Sequence, residues 1–73
     1  MFVTVDCYSG YQGEEKPKRF WDEQREIRVL SVLKTWRTPD AQYFQVLGDD
    51  QKAYTLKLNR VFWRWDLIAN DPT

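Results

Sequence analysis

Trp36, Tyr43, Trp63 and Trp65 lie close in the chain to Arg37, Arg60 and Arg64. Rings interleaved with guanidinium groups are the equipment of proteins that hold single-stranded nucleic acid. A base stacked on a ring is worth about 1–3 kcal/mol, and the arginine holds phosphate. The same residues have a simpler use as core. Val61, Trp63, Trp65 and Leu67 alternate with Phe62, Arg64, Asp66 and Ile68, which places both tryptophans on one apolar face and Arg64 on the other. Four tryptophans in so short a chain are therefore expected to be mostly core, with the nucleic-acid role as the alternative.

A second group begins at Tyr8-Ser9-Gly10-Tyr11 and leads into Glu14 and Glu15, with Arg19 beyond. Two rings and two carboxylates around a glycine-bearing loop suit an extended peptide or a cationic group. The favoured structural reading has Tyr8 and Tyr11 closing one end of a barrel and Glu15 paired to a nearby arginine. The candidate binding residues are thus Tyr8, Tyr11, Glu15, Arg19, Trp36, Arg37, Tyr43 and Arg64.

Equipment for catalysis is sparse. The chain has no histidine and one cysteine, Cys7, which neither His nor Lys flanks. It contains no phosphate-binding loop, no nucleophile elbow and no metal-ligand spacing. Asp49-Asp50 form a carboxylate pair, but after Gly48 they read as turn residues. A non-enzymatic protein without cofactor or metal is expected.

The elements that position these residues are strands. Phe2 to Tyr8 alternates, with Val3, Val5 and Cys7 on one face. Ser9 to Lys18 reads as a loop, Arg19 to Trp21 as a short strand, and Asp22 to Gln24 as its turn. Arg25 to Trp36 is a longer strand in which Ile27 and Val29 alternate with Glu26 and Arg28. The phase then slips at Leu30, Val32 and Leu33, which marks a bulge or sharp bend. Arg37 to Ala41 turns around Pro39. Gln42–Leu47 and Ala53–Leu58, joined through Gly48–Gln51, carry the strongest hairpin signal. Val61 to Ile68 is the last strand, although Leu58, Phe62, Trp65 and Ala69 also trace a helical stripe. Residues 70–73 are expected to fray.

Seventy-three residues make one domain. The predicted fold is all-β: a small antiparallel SH3-like barrel of five to six strands, one of them strongly bent. With no disulfide available, an aromatic-rich core must supply the stability; Trp, Tyr and Phe contribute four residues each. Eleven basic and eleven acidic side chains leave a net charge of zero, spread evenly over both halves. Such a chain lacks the long-range field of a nucleic-acid coat. The mixed charges from Glu14 to Arg28 read as a solvated edge. The start of the chain has no signal-peptide pattern, and no apolar run approaches the ~20 residues of a membrane span. A cytoplasmic protein without membrane association is expected.

The run Tyr8-Ser-Gly-Tyr-Gln-Gly-Glu-Glu-Lys-Pro-Lys-Arg-Phe20 resembles a family of small uncharacterised bacterial proteins known as cytoplasmic proteins. The likeness continues at Val32-Leu33, Trp36, Pro39-Asp40, Tyr43-Phe44, Gly48-Asp-Asp50, Tyr54, Leu56 and Trp65-Asp-Leu67. Gln24 stands where that family has a glycine-containing turn, and Lys34 where it has an acid. The resemblance implies no activity. The functional expectation is a protein-interaction module, its partner another protein or a second copy, with an exposed aromatic patch among Tyr8, Tyr11, Trp36 and Tyr43.

Overall fold

The computed structural model describes residues 2–8 and 16–72, with side chains for 2–7 and 16–68. Six strands follow one another: β1 (Phe2–Tyr8), β2 (Lys16–Asp22), β3 (Arg25–Arg37), β4 (Ala41–Gly48), β5 (Lys52–Asn59) and β6 (Arg64–Pro72). Each pairs antiparallel with the next, and β6 returns to β1, closing a barrel in chain order. This is the small all-β barrel that the alternation predicted.

The long strand β3 turns the corner. Its first half, to Arg28, pairs with β2, and its second half, Val29 to Arg37, pairs with β4. The β3–β4 register shifts between Val29 and Ser31 and again between Val32 and Lys34, so Leu30 and Leu33 are extra residues in the ladder. These bulges are the physical form of the phase slip in the sequence, and they add the local bend and twist a closing sheet needs.

The core is built from Phe20, Ile27, Phe44, Val46, Tyr54, Leu56, Leu58 and Trp65. Val3, Val5 and Cys7 pack against it from β1, the face expected of them. Phe20 meets Tyr54 edge-on at 5.0 Å, and Phe44 meets Trp65 at 5.6 Å. Inward residues of β4 and β5 alternate as the hairpin signal required: Phe44 and Val46 against Tyr54, Leu56 and Leu58. Gly48 is close to this core. A Cβ there would lie 2.7 Å from Ile27 Cγ2 and 3.1 Å from Tyr54 Cε1.

Four expectations are corrected. First, Val61, Phe62 and Trp63 form no strand; they belong to the turn before β6 and are exposed. Asn59 Oδ1 accepts the amides of Val61 and Phe62, and this local capping competes with the ladder. Second, the tryptophans are not mostly core: Trp65 is buried, Trp21 half-buried, and Trp36 and Trp63 exposed. Third, β2 begins at Lys16 and contains a buried Pro17, within the stretch read as loop. Proline fits because the β1–β2 register shifts beside it, between Asp6 and Cys7. Fourth, β6 runs on to Pro72, opposite Lys52, where fraying was expected from residue 70. The turn expected at 22–24 is the two residues Glu23 and Gln24, with Asp22 still in β2 opposite Arg25; it forms without glycine because Glu23 takes a left-handed φ of 60°.

Candidate functional site

Of the candidate binding residues, Tyr11 and Glu15 lie outside the described residues, as does the side chain of Tyr8. Arg19 is engaged within the fold. Its Nε donates to Asp6 Oδ2 and its Nη1 to Glu26 Oε2, both at 3.0 Å, and its guanidinium lies over the Trp21 ring. Glu26 foremost, and then Asp6, raise its pKa further. Arg19 thus ties β1, β2 and β3 together.

Trp36 and Tyr43 do meet. They are register partners across β3 and β4, and their rings stack at 5.2 Å with an interplanar angle of 2°. The ammonium of Lys34 lies 5.5 Å from the Trp36 ring centre. Arg37 closes β3 opposite Gln42. Arg64 opens β6 on the far side of the sheet, its guanidinium 4.1 Å from the Phe2 ring centre and 5.4 Å from that of Phe62.

The register joins these places. Trp36 pairs with Tyr43, Tyr43 with Lys57, Lys57 with Asp66, and Asp66 with Phe2. Residues in register across a sheet share a face, so one row runs over the outside of five strands with a ring at each end. The turns at this end are also linked: the Arg60 amide donates to the Asp40 carbonyl at 2.8 Å. Phe2, Val61 and Phe62 are site residues that the alternation did not single out. The signal for them was Asn59, a turn former, immediately ahead of three bulky apolar residues held between Arg60 and Arg64.

A second surface follows the edge of β3. From Leu30 to Arg37 every residue is exposed, yet the whole segment is strand. β4 holds one edge; among the described residues nothing pairs with the other. The reason lies in β2. Continuing the β2–β3 register would set Pro17 against Leu30, and Pro17 has no N–H to give. The bulge at Leu30 spoils the same step.

Ionisable groups converge once more, at Arg25, Asp50 and Tyr54. Arg25 Nη2 donates to Asp50 Oδ2 at 2.8 Å and to the Tyr54 hydroxyl at 3.1 Å. The Tyr54 hydroxyl in turn donates to Asp50 Oδ2, and Asp50 Oδ1 accepts the Lys52 amide. Burial and the bond to Asp50 push the Tyr54 hydroxyl up to about 12. Burial works to raise Asp50, but the Tyr54 hydroxyl, the Lys52 amide and Arg25 outweigh it and hold the carboxyl below its ordinary value. A phenol driven away from phenolate and a carboxylate fully engaged make a latch between the β2–β3 and β4–β5 hairpins. Among the described residues, no three of His, Cys, Asp and Glu are grouped to hold a metal ion, and no helix is long and apolar enough to cross a membrane.

Comparison with protein-family models, curated proteins and solved structures finds no match to this chain.

Proposed function

We propose that this protein is a non-catalytic contact module that takes an extended segment of a protein partner along the open edge of β3. The observation that carries the reading is the segment Leu30 to Arg37, a strand exposed on both faces with one edge unpaired among the described residues. Strand addition there draws affinity from main-chain hydrogen bonds and specificity from alternate side chains. Leu30, Val32 and Leu33 supply apolar grip. Arg28, Lys34 and Arg37 make the strand positive, and no acid occurs between Ile27 and Pro39. A second copy would set these bases against each other, and like charges across a strand pair destabilise it. The charge therefore favours a partner strand with acids between apolar residues.

The reading is tested by selecting peptides from a display library and following amide exchange of the protein with and without them. Acid-enriched peptides that slow exchange in residues 30–37 are expected, along with a monomeric mass in their absence. Peptides that protect another part of the barrel would overturn the reading. A dimer protected at 30–37 would assign the edge to a second copy instead.

A further inference from the structure

We propose that the outer sheet face running from Trp36 to Phe2, with the turn at 59–64, binds single-stranded nucleic acid: bases stack on Trp36, Phe62 and Trp63, and phosphates rest on Lys34, Arg60 and Arg64.

Charge provides the first support. The chain is neutral and evenly mixed along its length, but its fold sorts the charges. Among the described side chains, this face and its turns gather Lys34, Lys57, Arg60 and Arg64 with Asp40 and Asp66. Among the described residues these four bases make no ion pair; the acids Asp6, Glu26 and Asp50 are engaged by Arg19 and Arg25. An anionic ligand fits this patch although the whole molecule has no net field.

The rings provide the second. Val61, Phe62 and Trp63 are 64%, 69% and 53% exposed. They are held in water by design of the backbone, not by fraying: Asn59 caps the turn, and Trp63 sits at a φ of 57°, a conformation rare for so bulky a residue. Flat rings standing beside guanidinium groups suit a base next to its phosphate.

Spacing is the third. The row from Trp36 to Phe2 crosses four inter-strand steps, or about 19 Å. An extended single strand can follow that path and meet rings at both ends. A lipid surface would engage the tip at 61–63 alone and leave the Trp36–Tyr43 stack unused. A duplex would keep its bases stacked away from the rings.

The test is titration of the full chain with an oligothymidylate of about 12 nucleotides, read by tryptophan emission over a range of salt. Saturable quenching is expected, with log K falling against log salt at a slope of about −2 for three phosphate contacts. Trp63→Ala and Trp36→Ala should each weaken binding about 5- to 160-fold. The pair Arg60→Gln and Arg64→Gln should flatten the slope by about 1.4. Urea midpoints close to wild type would show that these exposed variants fold. Leu33→Gln, a neutral change on the β3 edge, should leave the oligonucleotide affinity unchanged, which separates this proposal from strand addition. No quenching at low salt, salt-independent binding, or wild-type affinity in both tryptophan variants would overturn it. So would equal affinity for duplex, or binding to phosphatidylglycerol vesicles without binding to the oligonucleotide.

Discussion

Tyr54→Phe isolates a single hydroxyl at the junction of two hairpins. Tyr54 is 1% exposed and its ring packs edge-on against Phe20, so phenylalanine keeps the packing and removes only the oxygen. That oxygen donates to Asp50 and accepts from Arg25. A hydrogen bond to a charged partner contributes about 1.5–3 kcal/mol. The titration adds a pH signature, because burial and Asp50 both penalise the phenolate. Raising a phenol from 10.0 to about 12 corresponds to at most about 3 kcal/mol. With two charged partners on one oxygen, one of them the exposed Arg25, a loss of about 2 kcal/mol is expected. In a domain this size a loss of about 2 kcal/mol lowers the melting temperature by about 8–16 °C. The sign with pH follows from the raised folded pKa. The hydroxyl's contribution is complete below pH 10.0, the unfolded value, and disappears as pH rises toward about 12. Urea unfolding of wild type and Tyr54→Phe, followed by tryptophan emission between neutral and strongly alkaline pH, should therefore show a gap that closes. Taking the difference cancels the lysines and the other tyrosines. A gap under about 0.5 kcal/mol at neutral pH, or one that stays constant into alkali, would refute the latch.

Asp50, held below its ordinary value, should contribute stability above that value and lose it as pH falls, and Asp50→Asn should flatten the acid limb of the stability curve. Gly48→Ala should cost about 1–3 kcal/mol in urea unfolding, because the new Cβ runs into Ile27, Asp50 and Tyr54. Glu23→Gly should raise stability by about 0.5–1 kcal/mol, since glycine accepts the left-handed φ of this turn freely; a lower melting temperature would contradict that assignment. Asn59→Ala should cost about 1 kcal/mol and speed amide exchange at Val61 and Phe62, whose donors it leaves without the cap. Leu33→Glu should change stability by no more than about 0.5 kcal/mol, as expected of an exposed bulge residue.

Much of the barrel could be read directly from the chain. Period-two patterning placed β1, β4 and β5 and their inward faces, because a strand with one buried side must alternate. The slip at Leu30–Leu33 announced the bulges, because an extra residue in one strand shifts every later side chain by one. The same logic failed at Val61–Trp63. Those three residues continue the alternation formally, but Asn59 captures the amides of Val61 and Phe62 and breaks the ladder before β6 starts.

The sequence alone determined that this chain folds as a small all-β structure with a ring-rich core, since with one cysteine and no histidine neither an internal disulfide nor a histidine cluster was available to it. Only the tertiary structure decided which rings are core and where the charge lies. Burial depends on what strand lies opposite: Trp65 faces Leu58 and is buried, while Trp36 faces Tyr43 on the outside. Charge along a chain adds by position in the sequence, but a ligand meets it by position in space. Strand register brings Lys34, Lys57 and Arg64 onto one face from three different strands, and no one-dimensional count could show that.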